Sequence, residues 1–135
     1  MLRTYNYRLY PNKTQTKALE DMLAAYRSLY NAALQERQDA WRRCKKSITF
    51  YDQANQLKEI RNAGDELNRY SYSTAQWTLR RLDIAFKAFF RRIKNGETPG
   101  FPRFKPASRF RSVTYTFGDG ATFKGRRLRL VGIDP

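Results

Sequence analysis

Residues 75–93 read AQWTLRRLDIAFKAFFRRI, and this stretch decides the fold class. Ala75, Leu79, Leu82, Phe86, Phe89 and Ile93 recur at steps of 4, 3, 4, 3 and 4, which stacks one apolar seam along a helix. The same spacing assigns Phe86, Phe89 and the adjacent Phe90 to a core. Arg80, Arg81, Lys87, Arg91 and Arg92 fall off the seam and form a cationic flank. Asn95-Gly96 is a good helix stop, and Pro99 keeps the helix from resuming. One element therefore has a face for packing and a face for an anion.

Upstream, two more helices are expected. Leu19, Met22, Leu23, Tyr26, Tyr30, Ala33, Leu34 and Trp41 recur at helical spacing, with Asn12 as N-cap and Gln15 completing a capping box. Lys45-Lys46-Ser47 breaks that helix near Cys44. Thr49 then caps a shorter helix with Asp52 at its third position, and Ala54, Leu57 and Ile60 supply its buried stripe. Residues 62–72, with Gly64, read as a polar connector. Before all of these, Leu2 to Tyr10 alternates as a strand would, with Tyr5, Tyr7 and Leu9 on one face, until Pro11 stops it.

Downstream, the pattern becomes alternating. Val113, Tyr115 and Phe117 alternate with Ser112, Thr114 and Thr116; Gly118-Asp119-Gly120 turns the chain; Leu128 and Leu130 alternate with Arg127 and Arg129. Strand, three helices, then strands indicates an α+β fold, a small antiparallel sheet or partial barrel interrupted by a three-helix insertion. The divisions are 1–10 for the first strand, 11–96 for the helical insertion, and 97–135 for a basic loop and further strands.

Charge bounds the function. Lysine and arginine number 27 against 12 acidic residues, a net +15 on 16.0 kDa. Such a surface calls for a polyanion, and phosphate backbones are the usual one. Residues 1–76 carry a net +5 and residues 77–135 a net +10, so the smaller half is the expected binding half. The single cysteine, Cys44, and the lack of histidine exclude an intrachain disulfide, a Cys/His zinc site and nucleophile systems that need histidine. No stretch approaches the ~20 apolar residues of a membrane span, which points to the cytoplasm.

The chemistry-bearing segments follow that charge. Gly100-Phe101-Pro102-Arg103-Phe104-Lys105, continued by Arg109, Phe110 and Arg111, interleaves aromatics with cations. Such alternation suits base stacking with phosphate contact, or rings packed inward beneath exposed cations. Pro102 imposes an extended path that could dock Phe101 and Phe104 onto the third helix. Tyr10 beside Pro11 is either a stacking platform or packing. Gln76 carries an amide able to read an adenine edge. Carboxylates are scattered: Glu20-Asp21 complement a helix dipole, Asp65-Glu66 lie in the connector, and Gly132-Ile133-Asp134 offers one aspartate where two-metal chemistry needs several.

Two segments carry a resemblance. Tyr7-Arg8-Leu9-Tyr10-Pro11-Asn12-Lys13-Thr14-Gln15, followed by Tyr26-Arg27, Tyr30-Asn31 and Leu34, resembles the opening of the TnpB (OrfB) proteins of bacterial and archaeal insertion sequences. Leu82 to Arg92 followed by GFPRFK is similar to that family's second signature. The resemblance implies a wedge-like β-barrel built from the first and last strands, with the helices inserted as a recognition lobe. It implies RNA-guided DNA cleavage beside a transposon-adjacent motif, with DNA and a transposon-derived guide RNA as partners in a prokaryotic cytoplasm. The family's RuvC-like nuclease and zinc ribbon lie downstream, so magnesium and zinc are expected there and no cofactor or catalytic residue here. On this reading the nucleic-acid contacts are Arg8, Lys13, Arg27, Phe50, Gln76, Arg80, Arg91, Arg103, Lys105, Arg109, Arg111, Thr114 and Thr116, with Phe50, Gln76 and Thr114 or Thr116 near the motif. Asp134 matches the turn after a Leu-x-Leu strand rather than the nuclease aspartate. The alternative is a stand-alone basic RNA- or DNA-binding protein, ribosomal-type or regulatory.

Overall fold

The computed structural model describes residues 2–63 and 65–135, with only the backbone of Asp65 and Glu66; Met1 and the connector's Gly64 lie outside the described residues. Helix α1 spans Lys13–Cys44 and begins at the expected capping box: Asn12 accepts from the Gln15 backbone at 2.8 Å, and the Gln15 side chain accepts from the Asn12 backbone at 3.0 Å. It ends where Lys45 turns left-handed (φ 53°), with the Lys45 N–H donating to the Trp41 carbonyl and the Lys46 N–H to that of Ala40. Helix α2, Phe50–Ala63, opens on a second reciprocal box, between Thr49 and Asp52. One further turn, α3 (Asp65–Asn68), occupies part of the expected connector. Helix α4, Tyr72–Lys94, starts at Ser71, whose hydroxyl accepts from the Thr74 backbone, and stops at Asn95 with Gly96 at φ 73°.

The core lies where α1, α2 and α4 meet. Met22, Tyr26, Leu29, Tyr30 and Leu34 of α1 pack with Leu57 of α2 and with Ala75, Leu79, Leu82 and Phe86 of α4. A polar staple crosses it. Arg37, 8 % exposed, donates to Gln53 at 2.9 Å and to Asp83 at 3.3 Å, while its guanidinium lies 4.9 Å from the Phe86 ring centre. Lys87 also reaches Asp83, at 3.0 Å, and Gln53 donates to the Ala33 carbonyl. Three helices thus share one hydrogen-bonded network around a part-buried ion pair. Its registry is specified by hydrogen bonds as well as by apolar fit.

Periodicity runs further than packing does. Of the three phenylalanines assigned to the core, Phe86 is buried, Phe89 is half-buried and Phe90 is exposed. Ile93, Trp41 and Ile60 are exposed as well, because no described element covers these helix ends.

The sheet is smaller than expected. Strands β1 (Thr116–Phe117), β2 (Gly120–Lys124) and β3 (Arg127–Leu130) pair in that order, β1 with β2 parallel and β2 with β3 antiparallel. The α+β class stands, but the sheet is mixed and open rather than antiparallel, and the described residues close no barrel. The expected first strand is corrected too. Leu2 to Tyr10 forms no strand and is exposed throughout. Its alternation makes it strand-competent, yet a strand needs an edge to pair with, and it is paired with none of the three. The hairpin is seated on the corner before α4 by close backbone approach. A Cβ at Gly120 (φ 99°) would lie 2.6 Å from the Ser71 hydroxyl, and one at Gly132 (φ 89°) 2.6 Å from the Arg69 carbonyl.

Candidate nucleic-acid interface

The segment after α4 is held at four points, and its cations are what the anchoring leaves outside. Pro102 is buried. Phe101 meets Phe86 and Phe89 edge-on, with centroids 5.6 and 5.2 Å apart, so the proline-directed path does dock Phe101 on α4. Asn31 of α1 clamps Lys105 from both sides: its amide donates to the Lys105 carbonyl at 3.0 Å and accepts from the Lys105 N–H at 2.9 Å. Phe110 is fully buried against Tyr30 beneath the Arg81 guanidinium, 4.7 Å from its ring centre, and Arg81 donates to the Ser112 carbonyl at 2.6 Å. Arg103, Arg109 and Arg111 are exposed on this fixed loop.

Lys105 is different from its neighbours. Its ammonium lies 5.4 Å from the Tyr30 ring centre. Partial burial holds its pKa below the ordinary lysine value, and Arg81 and Arg109 nearby push it the same way. An arriving phosphate would relieve that repulsion, which is what a preorganised anion site requires.

A second group forms where three distant segments converge. Arg80 lies 4.5 Å from the Phe50 ring centre and 5.8 Å from that of Trp77, and the Trp77 indole donates to the Thr116 hydroxyl at 3.1 Å. Phe50, Arg80 and Thr116 therefore sit together, with Gln76 half-buried on the adjacent turn of α4. Ser73, one turn earlier, hydrogen-bonds Asp119 of the β1–β2 turn. Phe50 itself is buried under Arg80; the accessible ring at the start of α2 is Tyr51, packed edge-on against it at 5.5 Å.

The remaining sequence-derived positions are dispersed. Arg8 lies over Tyr10 on the exposed arm, and Lys13 opens α1, whose Gln15 reaches the Asp134 carbonyl at 3.4 Å. Arg27 is half-buried along α1, Arg91 is exposed near the end of α4, and Thr114 is exposed before β1. Sequence reasoning missed Trp77, Tyr51, Asn31 and the two contacts of Arg81. Asn31 stands in the Tyr30-Asn31 pair of the first signature, but its partner lies 74 positions away. Trp77 could have been flagged by its three-residue spacing from Arg80. Among the described residues, no three acidic, cysteine or histidine side chains converge as metal ligands. Among the described residues, no helix is long and apolar enough to cross a membrane.

Comparison with known proteins finds two likenesses. Residues 1–46 match the family model of the helix-turn-helix domain of OrfB/IS605-type proteins. In this structure those residues hold the arm, α1 and its left-handed end; the next helix begins at Phe50. A protein of Streptomyces pristinaespiralis, named provisionally as an RNA-guided DNA endonuclease, is 29 % identical over 130 residues. That match covers 95 % of this chain and 31 % of the relative, so the chain spans about a third of the protein it resembles. Both likenesses point the same way as the signatures: the chain is similar to the OrfB/IS605 helix-turn-helix model over its first 46 residues, and to the Streptomyces protein over 130.

Proposed function

We propose that this chain recognises nucleic acid for a TnpB-like, transposon-associated RNA-guided DNA nuclease, binding target DNA near the transposon-adjacent motif together with guide RNA. The observation that carries the proposal is the convergence of Phe50, Arg80, Trp77 and Thr116, with Gln76 beside them. Resemblance marks three separate segments as motif contacts, and a chance likeness would have no reason to bring them into one patch. The clamped basic loop supplies the second requirement, fixed cations facing outward for a phosphate backbone. Phosphate contact gives affinity and position; the Gln76 amide and the Trp77 region give a means of reading bases.

In this proposal cleavage is not performed by these residues. A two-metal site needs several convergent carboxylates, and Asp134 stands alone just beyond β3. The test is selection from a pool of randomised duplexes, run in parallel with binding to transposon-end RNA and to ribosomal RNA. Enrichment of a short duplex motif that weakens selectively in Gln76→Ala is the expected outcome. No enriched motif, with ribosomal RNA favoured over both other ligands, would replace this reading with that of a stand-alone basic RNA-binding protein.

A further inference from the structure

A groove of about 670 Å³ opens at the far end of the bundle, away from Gln76 and Arg80, between the ends of α1 and α4 and the start of the basic loop. Its walls include the exposed rings of Trp41, Phe90 and Phe101, and Gln38 adds an amide. Phe89 and Phe101 meet edge-on at 5.2 Å beside it, so the aromatic wall is already assembled. Large exposed aromatics sharing one concave surface call for an occupant. The surrounding charge says which kind. Arg42, Arg43, Lys45 and Lys46 follow Trp41 directly, with no acidic residue from position 40 to 51. Arg91 and Arg92 flank Phe90 on the opposite helix. No carboxylate lines the groove, and the guanidinium of Arg37 at its base is already held by Asp83 and Gln53.

We propose that this groove is a base-stacking site for single-stranded nucleic acid, with bases against Trp41 and Phe90 and phosphates along the Arg42–Lys46 rim. Rings in a cationic cleft bind single strands in this way because every base offers a π-face, whatever its sequence. A volume of this size falls in the range of pockets that hold small organic ligands, so it admits a base or two. An apolar peptide would suit the rings but leave the cationic rim uncompensated. The site deepens the nucleic-acid reading above and rests on it.

The test compares a labelled single-stranded oligonucleotide with an abasic strand of equal length and charge, by fluorescence anisotropy with the 135-residue chain at fixed salt. The chain should favour the base-bearing strand by about 10-fold. Trp41→Ala should bring that ratio close to 1 without changing the salt dependence. Phe90→Ala, at another exposed position, should lower it too, and it decides the matter if Trp41→Ala fails to fold by circular dichroism. Equal binding of both strands by the unsubstituted chain would overturn the groove assignment while leaving nucleic-acid binding intact. So would an unchanged ratio in the variants, including the case where they shift self-association instead, which would identify a protein occupant. Binding of neither strand would overturn the broader reading as well.

Discussion

The two halves of α4 obey the same periodic rule and meet different fates. From Ala75 to Phe86 the seam is enclosed by α1 and α2; from Phe89 to Ile93 it emerges into solvent beside a groove. Leu82 is 0 % exposed and Ile93 is 50 % exposed, although both belong to one apolar seam. Periodicity reports which way a face points. Whether that face is covered depends on the reach of other elements, and among the described residues none covers Phe90 or Ile93. The enclosed half stabilises the fold; the open half is available for binding.

Substitution can break that contrast. Leu82→Ala should cost about 2–5 kcal/mol in urea-induced unfolding, because a void is left at a fully enclosed site. Phe90→Ala should cost under about 1 kcal/mol, since most of its ring is already in water. Equal losses at the two positions would mean that the far end is enclosed in solution. Asp83→Ala belongs with the large effects, at about 3 kcal/mol, because it strips the buried Arg37 guanidinium of its counter-charge. Restoring the acid as Asp83→Glu should recover only part of that loss, as the three-helix geometry around Gln53 is fixed.

The clamp on the basic loop sharpens the comparison from the binding side. Asn31→Ala leaves the N–H and carbonyl of Lys105 without their partner, a loss of about 1–3 kcal/mol where they are part-buried. It should also loosen the loop, so nucleic-acid affinity falls although no phosphate contact has been removed. Unchanged affinity in a folded variant would show that the cations act without being positioned. Smaller again is Asn12→Ala at the α1 cap, at about 1 kcal/mol by thermal melting.

The smallest effect is with pH. Hydrogen bonds from the Thr49 backbone and hydroxyl hold the Asp52 carboxyl below its ordinary value. A depressed folded-state pKa makes the cap's contribution present above the ordinary carboxylate range and lost as pH falls through the lowered value. A carboxyl-detected NMR titration should therefore place Asp52 below the ordinary aspartate value, and Thr49→Ala should move it back up.

Local signals were the legible ones. The boxes at Asn12–Gln15 and Thr49–Asp52, the break at Lys45 and the stop at Asn95-Gly96 each depend on residues within one turn, and each is where the sequence placed it. What could not be read depends on distance. Arg37 looks like a surface cation until Asp83, 46 positions on, is brought to it. Asn31 looks like a helix-surface amide until Lys105 arrives. Leu2–Tyr10 reads as a strand because alternation is a local property, whereas pairing requires a neighbour. The cations of the loop were recognisable from composition; the anchoring of the loop that carries them was not, because it depends on Arg81 and Asn31 from elsewhere in the chain.

The claim that the clamped loop is the phosphate-binding surface meets its most direct test in the salt dependence of duplex binding. Each phosphate contact contributes about 0.9 to the slope of log K against log salt. Replacing Arg103, Lys105, Arg109 and Arg111 together by alanine should flatten that slope by roughly 3–4 and remove most low-salt affinity. A folded quadruple variant with the slope and affinity of the unsubstituted chain would contradict the assignment and move the interface to another face.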